Sequence, residues 1–167
     1  MKILYFHGLE SSLPSSKANW MAEIGHIVVS HPMNYEHENS FEIALKFTKS
    51  LSPDLIVGSS LGGYFAFRIG THISTKLVLL NPALVKITKD YSYPKNGEFK
   101  PEIWALLGRN DEVVNPRNTA KKLKELNATI TIEDHGHRTP LDEFKNFINK
   151  HDLYQINKLN DLNLLNN

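Results

Sequence analysis

The 167-residue chain reads as an α/β protein, a three-layer sandwich built on a mostly parallel sheet of about six strands. Three observations predict this. Six short apolar blocks, several rich in β-branched residues, are spaced along the sequence. Five segments with helical spacing lie between and after them. The apolar blocks are continuous rather than alternating, as strands buried on both faces of a parallel sheet require.

The first strand is expected at Ile3–Phe6, closed at once by His7-Gly8. A helix follows over Ser15–Ile24, with Ala18, Met21 and Ala22 at helical spacing. Ile27–Ser30 is the second strand, and Phe41–Leu51 the second helix, with Ser40 in the capping position. The third strand, Leu55–Val57, is entered through Pro53-Asp54. It leads into a helix over Leu61–Gly70 that carries Tyr64, Phe65, Phe67 and Ile69. Lys76–Leu80 is the fourth strand and stops at Asn81-Pro82; Ile103–Leu107 is the fifth and stops at Gly108. The helix Pro116–Leu126 opens on a proline, whose fixed φ suits a first helical turn. Thr129–Ile132 is the sixth strand. The last helix, Pro140–Asn149, gathers Leu141, Phe144, Phe147 and Ile148 on one face.

This alternation makes residues 1–150 one domain. Two segments stand outside it. Residues 82–100 carry Tyr91, Tyr93 and Phe99 without a periodic run, which reads as a short lid-like insertion near the strand ends. Residues 151–167 are rich in asparagine but repeat an apolar residue every third position. That spacing fits a docked or frayed final helix, with a homodimer contact as the alternative.

Composition narrows the chemistry. There are no cysteines, so disulfides, thiolate nucleophiles and cysteine metal sites are excluded. A formal charge of +1 favours neither nucleic acid nor an anionic membrane as partner. No apolar run approaches the length of a membrane span, and the opening residues lack the pattern of a secretory signal. The expected location is the cytoplasm.

Ligands in open parallel sheets bind at the carboxyl ends of the strands, so the residues after each strand are the ones to inspect. After the third comes Gly58-Ser59-Ser60-Leu61-Gly62, a G-x-S-x-G pattern centred on Ser60, between a buried-type strand and an apolar helix. The flanking glycines suit a sharp, strained strand-to-helix corner that holds the serine hydroxyl clear of the sheet. The N–H of Leu61, at the helix start, faces any anion that forms nearby. Ser59 lacks the flanking glycines.

A serine hydroxyl needs a base. In this architecture the acid and the base follow the serine in the order carboxylate, then histidine, on later strand ends. The loop after the fifth strand offers Asp111 and Glu112; the loop after the sixth offers His135, His137 and Asp134. Asp111 is preferred because it sits in the short turn that directly follows its strand, and His137 because Gly136 gives it a flexible lead-in. Glu112, Asp134 and His135 are the alternatives. The histidine–aspartate cluster at 134–137 has no familiar metal spacing, and ester chemistry here calls for no metal or organic cofactor. His7-Gly8, after the first strand, lies at the same sheet edge; the N–H of Leu9 is the expected second oxyanion donor beside that of Leu61.

The strings YFHGLESSLPSSKA, IVGSSLGGYFA, LNPAL, GRNDEVV and the final GH together resemble the small bacterial esterases of the YqiA/UPF0227 type, over about Lys2 to Ile148. These are minimal members of the α/β-hydrolase fold. The resemblance implies that the fold's usual first two strands are missing, and that short acyl esters, or acyl-CoA thioesters, are cleaved by Ser60, His137 and Asp111. One departure is the insertion at 82–100, which is short for that family. Tyr91, Tyr93 and Phe99 are expected to line the acyl pocket. Two rival readings are a binding or scaffold protein that keeps the fold without the chemistry, and an acyltransferase.

Overall fold

The computed structural model describes residues 1–11, 13–85 and 97–153. Among the described residues, six strands and five helices follow one another, alternating except where β5 succeeds β4: β1 (Lys2–Phe6), α1 (Ser16–Glu23), β2 (Ile27–His31), α2 (Ser40–Leu51), β3 (Leu55–Ser59), α3 (Leu61–Gly70), β4 (Lys76–Leu80), β5 (Glu102–Gly108), α4 (Pro116–Glu125), β6 (Thr129–Glu133) and α5 (Leu141–Lys150). The strands form one sheet in the order β2-β1-β3-β4-β5-β6. All five pairings are parallel.

Alternate side chains of the central strands bury on opposite faces, which is why those strands read as unbroken apolar runs. Leu4, Phe6, Ile56, Leu77, Leu79, Ile103, Ala105 and Leu107 join one core with Phe41, Phe65, Ile69 and Leu123 of α2, α3 and α4. Ile3, Tyr5, Leu55, Val57, Val78, Leu80 and Leu106 join the other with Ala18, Met21, Phe144, Phe147 and Ile148 of α1 and α5. These are the three layers of the sandwich.

The chain steps outward from β1 to β2, then crosses back past β1 to β3 and continues in the opposite direction. Right-handed crossovers therefore put α1 on one face and α2 on the other. The loops leaving β1 and β3 diverge, and a crevice opens between their carboxyl ends. Gly8 and Leu9 sit on one side of it and Ser60 on the other.

Several element ends differ from the sequence reading, while α4 starts at Pro116 as expected. Ser40 is the first residue of α2 and Asn39 holds the capping position. The Asn115 side chain accepts hydrogen bonds from the N–H groups of Arg117 and Asn118, both at 3.1 Å, and so fixes the start of α4 at Pro116. Pro140 stays extended, so α5 begins at Leu141. Most of the proposed lid, including Tyr91 and Tyr93, and the tail from residue 154 lie outside the described residues. No described helix is long and apolar enough to cross a membrane.

Candidate active site

Ser60 occupies a backbone conformation that L side chains rarely adopt, with φ 53° and ψ −118°. Its neighbours hold it there. The Ser60 N–H donates to the Leu80 carbonyl at the end of β4 (2.9 Å), and the Ala83 N–H donates to the Ser60 carbonyl (3.0 Å). The corner is tight enough to exclude side chains on both flanks. A methyl group at Gly58 would stand 2.5 Å from the Gly62 carbonyl oxygen, and one at Gly62 would run into the carbonyl oxygens of Phe6 and His7. The glycines therefore let α3 begin against the ends of β1 and β3, with the Ser60 side chain outside.

His137 and Asp111, each on a loop after a later strand, complete a hydrogen-bonded row with Ser60. His137 Nε2 lies 2.9 Å from Ser60 Oγ, and His137 Nδ1 lies 2.8 Å from Asp111 Oδ2. A carboxylate oxygen only accepts, so Nδ1 carries the proton and Nε2 is free to accept from the serine hydroxyl. The Asp111 side chain is 1% exposed. Burying a carboxylate is costly unless its oxygens are partnered. Here Oδ1 accepts from the N–H groups of Val113 and Val114, both at 2.8 Å, and Oδ2 faces the imidazole.

A cavity of about 760 Å3 opens over this row. Leu9 and Leu61 border it beside Ser60, with Val85, Val113, Glu112 and Arg138 farther round. Leu9 is 58% exposed and Val113 72%, so the mouth presents apolar surface next to the hydroxyl. Behind the Leu9 side, the buried His7 ring braces its loop: Nδ1–H donates to the Gly8 carbonyl at 2.7 Å. The Tyr35 hydroxyl donates to the His7 carbonyl. Burial pushes the nearby His31 imidazole below its ordinary value, and the His7 ring adds to the effect.

The remaining candidates fall elsewhere. His135 is buried and donates through Nδ1 to the Gly136 carbonyl at 2.7 Å, outside the row. Asp134 pairs with Arg109 at 3.5 Å on the surface. Glu112 lines the cavity but is exposed and does not meet the imidazole. Phe99 is a correction: it lines a separate hollow with Pro53, Asp54, Thr75 and Lys76 at the amino ends of β3, β4 and β5, opposite Ser60. Its N–H donates to the Thr71 carbonyl at 3.0 Å, which ties it to the end of α3. Sequence reasoning missed Asn81, taken only as the stop after β4. It is buried at 2% exposure with φ 44°, and its side chain reaches both later loops. An amide residue directly after a buried strand, ahead of proline, was the signal available.

Residues 2–93 match the profile of UPF0227, described as an uncharacterised protein family. The chain belongs to UPF0227. A UPF0227 protein of Shewanella woodyi is 26% identical over 165 residues, a match that covers 83% of this chain and 92% of that one. Two solved structures have the same architecture. A Xanthomonas campestris protein of the alpha/beta superfamily is similar at a TM-score of 0.73 and 17% identity, covering 92% of this chain and 98% of its own. An alpha/beta hydrolase enzyme from a sediment metagenome of the Mar Chica lagoon, Morocco, is similar at 0.70 and 18% identity, covering 92% and 90%. This UPF0227 chain thus has the α/β-hydrolase fold. Fold at this distance leaves chemistry to be argued from the site.

Proposed function

We propose that this UPF0227 protein is a serine hydrolase that cleaves short-chain acyl esters, with acyl-CoA thioesters as the second substrate class, through an acyl-enzyme on Ser60. One observation carries the reading: Ser60, His137 and Asp111 stand in a single hydrogen-bonded row, with contacts of 2.9 and 2.8 Å, beneath an open cavity. Ser60 Oγ attacks the carbonyl carbon while His137 Nε2 takes its proton. The negative charge that develops on the carbonyl oxygen faces the N–H groups of Leu9 and Leu61. His137 then returns the proton to the departing alkoxide or thiolate. Water, activated by the same nitrogen, attacks the acyl carbon and restores the serine. Asp111 holds the imidazole in the useful tautomer and stabilises its charged form.

The substrates are small molecules that carry an apolar acyl group, in keeping with Leu9, Val85 and Val113 around the cavity. The test is turnover of p-nitrophenyl acetate and butyrate, with covalent labelling by a fluorophosphonate probe. Hydrolysis is expected, with labelling mapped to Ser60 and abolished in Ser60→Ala. Folded protein that neither turns over these esters nor takes the label overturns the reading.

A further inference from the structure

Asn81 links, through one side chain, the two loops that carry Asp111 and His137. It follows β4 directly and is buried, and its own N–H donates to the Leu106 carbonyl of β5 at 3.0 Å. The side-chain Oδ1 accepts from the Gly108 N–H at 2.7 Å, at the point where β5 turns into the Asp111 loop. Nδ2 donates to the His137 carbonyl at 2.7 Å, with longer approaches to the Gly136 carbonyl (3.3 Å) and Thr139 Oγ1 (3.4 Å). Gly108 and His137 thus meet through a single amide, though they lie 27 and 56 positions along the chain from Asn81.

The surroundings demand an amide. One N–H approaches from one side and carbonyl oxygens from the other, so the residue must accept and donate at the two ends of a short, planar group. A carboxylate would turn an oxygen toward the His137 and Gly136 carbonyls. A hydroxyl is too short to reach both loops. The left-handed backbone, φ 44°, points the amide between the loops, and asparagine tolerates that conformation better than most side chains. The same short stretch also grips the serine, through the Leu80 carbonyl and the Ala83 N–H. Asn81 does not line the cavity, so it acts through its neighbours and not on substrate.

We propose that Asn81 is a positioning residue: it sets the spacing between the acid and base loops so that the His137 ring meets Asp111 and Ser60 together. The inference rests on the hydrolase reading for its kinetic consequence, but not for its structural one. Asn81→Gly keeps the left-handed backbone and removes the amide. Asn81→Asp keeps the volume and the acceptor for Gly108 while losing the donor toward His137. In the full chain, with folding checked by circular dichroism, both variants are expected to lose kcat on p-nitrophenyl butyrate with KM nearly unchanged. A misplacement of about 1 Å costs on the order of 10²-fold. The ring proton shared by His137 Nδ1 and Asp111, identified by NMR through its loss in His137→Gln, should broaden or disappear in both. Where Asn81→Gly unfolds below the assay temperature, Asn81→Asp decides. A folded variant with wild-type kcat and an unchanged ring proton overturns the proposal. Failure of the wild type to turn over or label at Ser60 removes the hydrolase reading instead, and the ring proton still decides what Asn81 does.

Discussion

Nδ1 of His137 lies 2.8 Å from a carboxylate oxygen of Asp111, and that carboxylate is almost wholly out of water. Its other oxygen is taken up by two backbone N–H groups. The carboxylate therefore cannot rotate away without leaving two buried donors unpartnered, and the imidazole inherits its orientation. Asp111→Asn preserves the shape but turns an N–H group or a weaker acceptor toward Nδ1, which favours the wrong tautomer. A fall in kcat of about 10⁴ is expected, with the fold intact. Steady-state kinetics beside a thermal melt check it; a loss below tenfold would point to another acid.

Ser60 is strained, and on the proposed reading the strain belongs to its role as nucleophile. Its φ of 53° with ψ of −118° is tolerated by glycine and costs other residues on the order of 1–3 kcal/mol. Ser60→Gly should abolish turnover and raise stability. The extra backbone freedom of an unfolded glycine offsets about 0.4–1 kcal/mol of the gain. The melting temperature of the variant should rise by roughly 2–4 °C per net kcal/mol in a chain this size. Differential scanning calorimetry of the two proteins measures it, and a lower melting temperature would contradict the strain argument.

Gly62→Ala should be among the most damaging small substitutions in the chain. The added methyl meets the carbonyl oxygens of Phe6 and His7, which belong to the backbone at the end of β1 and cannot rotate aside. Displacing them moves the Leu9 loop away from Ser60. A destabilisation of about 1–3 kcal/mol is expected. Fluorophosphonate labelling should drop even at temperatures where the variant is folded. Urea unfolding and labelling, run in parallel, separate the two effects.

Burial pushes the imidazoles of His26, His31 and His151 below their ordinary value; the N-terminal amine, His7 and Lys150, respectively, add to it. In the unfolded chain these rings take up protons as the pH falls through ~6.5, while in the fold they stay neutral to lower pH. The unfolded state then binds more protons, so stability is complete above that value and declines below it. His31 packs against Phe6 and Phe47, with ring centroids 5.9 and 4.7 Å away. His31→Phe removes its titration and should flatten the fall in melting temperature between about pH 7.5 and about pH 5.5. An equal slope in both proteins would rule His31 out as a contributor.

Acyl preference should follow Val113 and ignore Phe99. Val113 stands 72% exposed at the cavity mouth, because its N–H turns inward to Asp111 and its side chain is left outside. Val113→Ser should lower the butyrate-to-acetate ratio of kcat/KM by up to about tenfold. Phe99→Ala should leave that ratio unchanged, since Phe99 lies at the other end of the sheet. A ratio that moves with Phe99 and not with Val113 would reverse this assignment of the pocket.

Local pattern made much of this molecule legible. The apolar blocks of β1, β3, β4 and β5 are readable because those strands bury both faces, and the glycines around Ser60 because a corner that crowded admits nothing larger. Loop order narrowed the acid and base to a few residues, and the short turn at Asp111 and the lead-in of Gly136 singled out two; the His137 ring does stand between Ser60 and Asp111. Asn81 was not legible, because its partners lie 27 to 58 residues away and leave no periodic trace. Phe99 was misplaced for the opposite reason. Its position in an aromatic insertion says nothing about which end of the sheet the chain has reached by residue 99. That is decided by the contact of Phe99 and Gly97 with Thr71 at the end of α3.

The hydroxyl of Ser60 and the imidazole it faces are 77 residues apart in the chain. During synthesis the serine leaves the ribosome first, and at about 5–20 residues per second the histidine follows roughly 4–15 seconds later. Through that interval the nascent chain carries the Ser60 hydroxyl without the imidazole that faces it in the fold. On the proposed reading, reactivity begins only when the last strand docks at the sheet edge, which makes that docking the event that switches the chemistry on.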